Sequence, residues 1–206
     1  SKLVVSLSAH EGQSTIGALK SKTVDEEGIL VIQDAQSWNT NASSVVNQEF
    51  PDHLVNTIPS QDISTENFED YGLIITVGGQ NSGYYSNISS ARSKFEEYLN
   101  EGGVVLHSVS TFGSTVTLAG GVESIFDNEF HQLIINPDHP ILKGLTNDDF
   151  ISIGNNNYIR NLPDNAEVSL IASQSEKPSF VEYEYGKGYV VVAGVAIEYV
   201  HNKSSV

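Results

Sequence analysis

The 206-residue sequence contains neither cysteine nor methionine. Without cysteine, the chain has no disulfides, no thiolate zinc sites and no cysteine nucleophile. Because methionine is missing even at position 1, we expect the chain to be a mature product or a piece of a longer protein. The sequence also lacks a signal peptide and an apolar run of about 18 residues, so it predicts no membrane insertion for this segment.

Basic residues are scarce as well. Lys and Arg together number 10 against 26 Asp and Glu, which gives a formal charge of -16. Such a charge repels phosphate backbones and anionic membrane surfaces, so nucleic acid is excluded as a partner. Two interpretations of the acidity stay open, namely solubility through charge repulsion and binding of a divalent cation. No D-x-[DN]-x-[DN]-G loop is present, and the sequence predicts neither a metal site nor a cofactor.

Three N-x-[ST] sequons occur, at Asn41, Asn87 and Asn202. Chance produces such triplets in a chain rich in Asn and Ser, whereas the alternative is a glycosylated surface protein. Together with the missing Cys and Met, the sequons favour an extracellular or cell-surface location.

Short apolar runs alternate with helical patterns from Gly28 onward, which is typical of a mainly parallel sheet covered by helices on both faces. The sequence therefore predicts an α/β three-layer sandwich. Gly-Lys-Gly at 186–188 separates two strand patterns and predicts an antiparallel hairpin at the carboxyl-terminal end. The predicted strands cover residues 29–34, 53–58, 73–79, 104–109, 131–136, 150–155, 167–173, 179–186 and 189–196, and the predicted helices cover 41–50 and 88–103.

The predicted domain organisation has three parts. Residues 1–27 form a strand and a linker that belong to a preceding module or lead into the main domain. Residues 28–201 form the α/β domain, and residues 202–206 are a tail.

Two segments resemble a known superfamily. "INPDHPILKGL" (135–145) and "EYGKGYVVVAGVAIEY" (184–199) are similar to segments of ThuA-like domains and of class I glutamine amidotransferase-like domains. "ILVIQD" and "DYGLIITVGG" stand where the first and third strands of that superfamily would stand. The resemblance implies a flavodoxin-like fold, which hosts many functions.

The same resemblance implies where a nucleophile would lie. In this superfamily the nucleophilic cysteine follows the strand that corresponds to "VVLHSV", which here places it within His107–Ser110. No thiol is present, so the resemblance implies a pseudoenzyme. A serine nucleophile is the alternative, with Ser108 or Ser110 activated by His131 and His131 oriented by Glu129. The flanking valine and threonine do not match the G-x-S-x-G elbow.

A glycine-rich loop is the second candidate site. Gly78 and Gly79 allow backbone amides to approach a ligand, and Gln80 and Asn81 offer neutral hydrogen-bonding groups. We expect His107 to lie nearby, and Tyr84 and Tyr85 to offer faces on which a sugar could stack. Ordinary turn chemistry explains the same composition and stays open as the alternative.

The "PDHP" segment is interpreted as structural, with Asp138 capping a short helix. The leading hypothesis is a non-catalytic structural or ligand-binding domain of an extracellular multidomain surface protein, with neighbouring domains and a glycan as partners. The alternative is a hydrolase that acts on carbohydrate or ester substrates through the Ser/His pair.

Overall fold

A computed structural model describes residues 28–37, 41–111, 113–127, 129–151 and 156–197. Within these residues the chain forms eleven β-strands and three α-helices. The strands are β1 Gly28–Ile32, β2 Val55–Ile58, β3 Tyr71–Thr76, β4 Val104–Ser108, β5 Val116–Thr117, β6 Glu123–Asp127, β7 Gln132–Ile134, β8 Asn156–Arg160, β9 Glu167–Ala172, β10 Pro178–Tyr185 and β11 Gly188–Ala193, and the helices are α1 Ala42–Glu49, α2 Ser82–Ser90 and α3 Arg92–Asn100.

Eight of the strands form one sheet in the order β2-β1-β3-β4-β11-β10-β9-β7. The first five run parallel to one another, and β10, β9 and β7 continue the sheet with antiparallel pairings. The β10–β11 hairpin, which the sequence predicts, joins the two halves. A mainly parallel sheet with an antiparallel carboxyl-terminal hairpin is therefore confirmed.

The large sheet separates two hydrophobic cores. On one face, alternate residues such as Leu30 and Ile32 pack against Tyr84, Phe95 and other side chains of α2 and α3. On the other face, Ile29 and Val31 pack with Val46 of α1 and with other apolar side chains. Strands that are covered on both faces bury every residue, and they therefore have continuous apolar sequences. Since one core lies on each face of the sheet, the three-layer α/β class is confirmed.

Two elements differ from the sequence prediction. The stretch 80–87, which precedes the predicted helix at 88–103, contains most of α2. Its residues are poor helix formers, but Asn81 caps the first turn and Tyr84, Tyr85 and Ile88 bury one face. The antiparallel sheet β5-β6-β8, which packs on the same side as α2 and α3, was also not predicted, because its strands are short and partly polar.

The cap in the "PDHP" segment is a further correction. His139, not Asp138, precedes the 3-10 turn Pro140–Leu142, and its Nδ1 accepts a hydrogen bond from the Ile141 amide at 3.3 Å. The contacts of the segment are structural, as expected, because Pro140 begins the 3-10 turn and Leu142 is buried.

Several sequence predictions fall outside the described residues. They are the strand and linker at 1–27, the tail at 202–206, the sequon at Asn202 and most of the predicted strand 150–155. Among the residues that are described, the helices are too short and too polar to cross a membrane.

Candidate functional site

The carboxyl ends of β1, β3, β4 and β11 lie side by side at one edge of the sheet. In open parallel sheets this edge holds the ligand crevice. The segments that follow these strands are residues 33–37, 77–81, 109–111 and 194–197. What occupies this edge therefore decides whether it can bind a substrate.

Two tyrosines of α2 fill part of this edge. The hydroxyl of Tyr84 accepts from the Val77 amide at 2.8 Å and donates to the Ile32 carbonyl at 2.7 Å. The hydroxyl of Tyr85 donates to the Ser110 carbonyl at 2.7 Å and accepts from the Gln80 amide at 3.2 Å. Both side chains are 1% exposed, so neither presents a face on which a sugar could stack.

Gln80 joins the loops that follow β1 and β3. Its Oε1 accepts from the amides of Asp34 and Ala35, at 3.1 and 2.8 Å, and its Nε2 donates to the carbonyls of Ala35 and Gly78, at 2.9 and 3.2 Å. A side-chain amide has two donors and two acceptor positions, and all four are used here. Gln80 therefore holds two loops together and has no hydrogen-bonding capacity left for a ligand.

The other predicted ligand-binding residues of this loop lie next to Gln80. Gly79 has a φ of +65°, which glycine adopts without strain, and its amide donates to the Ser110 carbonyl at 2.8 Å. Asn81 is exposed, and its Oδ1 accepts from the Tyr84 amide at 3.0 Å as the cap of α2. The structure thus brings Gly78 to Asn81 together, and the polar contacts that it shows for them connect parts of the chain to one another.

The chain continues past β4 without a sharp turn. The Val109 amide donates to the Ala193 carbonyl at 2.8 Å, which extends the pairing with β11, and the Thr111 amide donates to Asn157 Oδ1 at 2.9 Å. Outside glycine, the positive φ angles of the described residues are at Asn161 and Glu176. The strained elbow on which such hydrolases place a nucleophile is therefore absent from the end of β4.

Ser108 and Ser110, the candidate nucleophiles, are 1% and 0% exposed. Beside them, Asn157 Nδ2 donates to Thr111 Oγ1 and to Ser124 Oγ, both at 2.9 Å, and Ser124 is itself buried. This network anchors the chain after β4 to the smaller sheet. Sequence reasoning missed it because residues 111, 124 and 157 are far apart in the chain, and residues 124 and 157 belong to short strands with weak patterns.

His131 does not lie near either serine. It is exposed and directly precedes β7, which is separated from β4 by the three strands β11, β10 and β9. Four strand spacings of about 4.8 Å place the two strands roughly 19 Å apart. The proposed Ser/His pair is therefore incompatible with the fold, because proton transfer requires hydrogen-bond contact.

Glu129, the residue expected to orient His131, contacts the turn after β9. Its carboxylate accepts from the Gln174 amide, from the Ser175 amide and, at 2.7 Å, from Ser175 Oγ. Partial burial acts to raise the pKa of Glu129, but these hydrogen bonds outweigh it and lower the pKa. The residue stabilises the turn after β9.

His107 lies beneath α3, inside the core. It is 0% exposed, its ring packs edge-on against Phe95 with centroids 5.2 Å apart, and its Nδ1 is 3.0 Å from Thr76 Oγ1. Nε2 is buried and has no hydrogen-bond partner among the described residues. Burial lowers the pKa of His107 to about 3, so the imidazole is neutral and not available to an external ligand.

A second buried histidine lies on the opposite face of the sheet. His139 Nε2 is 2.7 Å from Glu182 Oε1, and the two side chains are 6% and 9% exposed. Because Nδ1 of His139 accepts from the Ile141 amide, Nε2 carries the proton and donates to the carboxylate. Tyr189 also hydrogen-bonds to Glu182, and burial together with this carboxylate raises the pKa of the phenol. The cluster holds the 137–142 segment against β10.

A surface groove of about 590 Å³ lies between the 3-10 turn at 60–62 and helices α2 and α3. Lys94 lines it, but its ammonium donates to the carbonyls of Ile63, Ser64 and Glu66 and is therefore engaged. Across the described ranges, no group of three or more His, Asp or Glu side chains is arranged to hold a metal ion.

Comparisons with known proteins identify the fold. A scan against protein-family models and a search of curated proteins give no match. Among solved structures, a GMP synthase-like protein from Thermoplasma acidophilum matches with a TM-score of 0.53 and 13% identity, over 86% of this chain and 91% of that chain. A glutamine amidotransferase from Thermotoga maritima matches with a TM-score of 0.50 and 13% identity, over 84% and 76%.

A third neighbour is much longer. An exo-β-1,4-mannosidase from Opitutaceae bacterium strain TAV5 matches with a TM-score of 0.51 and 10% identity, over 87% of this chain and 33% of that chain. At these identities the likeness concerns the fold alone. The fold is amidotransferase-like, which agrees with the expected flavodoxin-like architecture.

Proposed function

We propose that this chain is a non-catalytic structural module, of ThuA-like descent, within a larger extracellular surface protein. The module keeps the amidotransferase-like fold. At the carboxyl edge of its parallel strands, the side chains bind other parts of the same chain and do not catalyse a reaction. Its partners in this proposal are neighbouring domains of the same chain.

One observation carries the proposal, namely that side chains of the protein itself occupy the carboxyl edge of the parallel strands. Tyr84, Tyr85 and Gln80 bridge the ends of β1, β3 and β4 with hydrogen bonds of 2.7–3.2 Å. A catalytic crevice needs exposed reactive groups and room for a substrate. Here the two candidate serines are buried and the candidate base is about four strands away.

Two further observations support a place within a longer chain. The mannosidase neighbour shows that this fold occurs as about a third of a larger protein. In addition, Leu133, Ile135 and Ile151, near the β7 end of the sheet, are 36%, 49% and 42% exposed. Burying these side chains against a neighbouring domain would stabilise the assembly, whereas a second copy would meet the repulsion of another -16 charge.

Reaction of the folded protein with a fluorophosphonate probe tests the absence of a serine nucleophile. We expect labelling of the native protein to remain at the background level of the Ser108→Ala and Ser110→Ala variants, because both hydroxyls are buried and His131 lies at the far end of the sheet. Ser82→Ala, which removes an exposed hydroxyl, is the matched control. Stoichiometric labelling that disappears in the Ser108 or Ser110 variant, together with ester or glycoside hydrolysis, would overturn the proposal.

A further inference from the structure

We propose that Asn41 is the acceptor of an N-linked glycan on the folded domain and that the similar sequon at Asn87 is not. The biological use of this site rests on the extracellular location proposed above. The geometry on which the inference depends does not, because it concerns only the two folded sequons.

At Asn41 the sequon is folded so that its two reactive residues meet on the surface. Asn41 is exposed, and Ser43 Oγ donates to Asn41 Oδ1 at 2.7 Å. The required hydroxyl therefore lies beside the acceptor amide. Within the part of the chain that the structure describes, Asn41 Nδ2 makes no hydrogen bond, so it is open to a transferase.

Modification at Asn41 preserves the local structure. Asn41 is the amino-terminal cap of α1, and its Oδ1 also accepts from the Ser43 amide at 3.2 Å. A glycan replaces one hydrogen on Nδ2 and leaves Oδ1 free to accept. The cap is thus compatible with a glycosylated side chain.

At Asn87 the same triplet lies inside α2, where the geometry is different. Residues two apart in a helix are rotated by roughly 200° about the axis and face apart. Accordingly, Asn87 Nδ2 donates to Ser60 Oγ at 2.9 Å, while Ser89 Oγ accepts from the Thr117 amide at 3.1 Å. The amide of Asn87 and the hydroxyl of Ser89 are therefore bound to different parts of the chain and do not contact each other in the way that Asn41 and Ser43 do.

The reaction requires an activated sugar as co-reactant, a lipid-linked glycosyl diphosphate. The amide nitrogen of Asn41 attacks the anomeric carbon, and a C–N bond replaces the C–O bond to the diphosphate, which leaves as the anion. The nitrogen loses one proton to a base of the transferase. No oxidation or reduction is involved.

The test uses the purified, folded full chain in an Asn202→Gln background, so that only two sequons remain. It is incubated with a single-subunit oligosaccharyltransferase and a lipid-linked oligosaccharide, and site occupancy is measured by mass spectrometry of the resulting peptides. Two synthetic peptides that cover residues 36–46 and 82–92, in which neither sequon is folded, are treated in parallel. Asn41→Gln, Ser43→Ala and Asn87→Gln are the matched variants.

We expect at least a tenfold higher occupancy at Asn41 than at Asn87 in the folded chain, and comparable occupancy of the two peptides. Asn41→Gln and Ser43→Ala should each abolish modification of the folded chain, whereas Asn87→Gln should leave it unchanged. Equal occupancy of the two sites in the folded chain, or an unmodified Asn41 in a folded chain whose peptides react, would overturn the inference. These results are independent of serine labelling, so this inference and the proposed function can fail separately.

Discussion

His107 and His139 are both buried imidazoles on the same eight-stranded sheet, but their surroundings differ. His107 belongs to the parallel half and faces the apolar core under α3. Its Nδ1 is near Thr76, and its Nε2 has no partner in the part of the chain that the structure describes. His139 packs on the antiparallel half, where both of its nitrogens are hydrogen-bonded. The pKa of His107 is lowered to about 3 by burial alone.

The difference shows how the two halves handle polar groups. His139 and Glu182 of the antiparallel half, together with Tyr189 of the adjoining β11, hold an irregular segment against the sheet, and each of these polar side chains has a partner within the cluster. In the parallel half, tyrosine hydroxyls form hydrogen bonds with the backbone at the strand ends, and His107 is a buried neutral ring with one hydrogen bond, to Thr76 Oγ1. A ring buried in this apolar core is tolerated only while it stays uncharged.

The largest effect is expected from breaking the cluster in the antiparallel half. Replacing Glu182 with alanine removes the acceptor for His139 Nε2 and leaves a buried donor unpaired. We expect a loss of about 3 kcal/mol in the free energy of unfolding, measured by urea denaturation. Glu182→Gln keeps an acceptor oxygen and should lose less than half as much. An alanine variant as stable as the wild type would show that the cluster does not hold the 137–142 segment.

A smaller loss is expected at the strand ends of the parallel half. Tyr84→Phe removes two hydrogen bonds and leaves the Val77 amide and the Ile32 carbonyl with only their longer contact to each other, at 3.3 Å. The free energy of unfolding should fall by about 2 kcal/mol. Tyr183→Phe removes a single hydrogen bond, to the Ala119 carbonyl, and is the matched control at about 1 kcal/mol. If both variants lose the same amount, the bridging role of Tyr84 is not supported.

The same contrast explains how much the sequence could predict. Continuous apolar runs such as 29–32 and 73–77 identify strands buried on both faces, and the Gly-Lys-Gly turn identifies the hairpin, so the sheet follows from local pattern. The short strands β5, β6 and β8 have no such pattern. Helix α2 is built from Ser, Asn and Tyr, and it forms because its tyrosines find partners on three different strands or loops.

The candidate site was harder to predict for a related reason. Residues 78–81 are adjacent in sequence and are together in the structure, but their internal hydrogen bonds to Ala35 and Ser110 depend on tertiary contacts. Whether His131 can reach a serine after β4 depends on the order of the strands in the sheet, and local sequence periodicity does not reveal that order. His139 and Glu182, 43 residues apart, meet only after the sheet has formed.

The smallest effect is a pH dependence of stability, and it is expected at His107. The unfolded imidazole binds a proton with a pKa near 6.5 but the folded one only near 3, so its contribution to stability is complete above pH 6.5 and is lost as the pH falls. We compare the free energies of unfolding of the wild type and His107→Leu at each pH. Between pH 7.5 and pH 5.5, the difference between the two proteins should change by about 1.4 kcal/mol, to the disadvantage of the wild type. Urea denaturation at the two pH values measures this change. Thr76→Val keeps the imidazole and should retain the wild-type pH dependence. An identical pH dependence in His107→Leu and the wild type would mean that the pKa of His107 is the same in the folded and the unfolded protein, which contradicts the prediction.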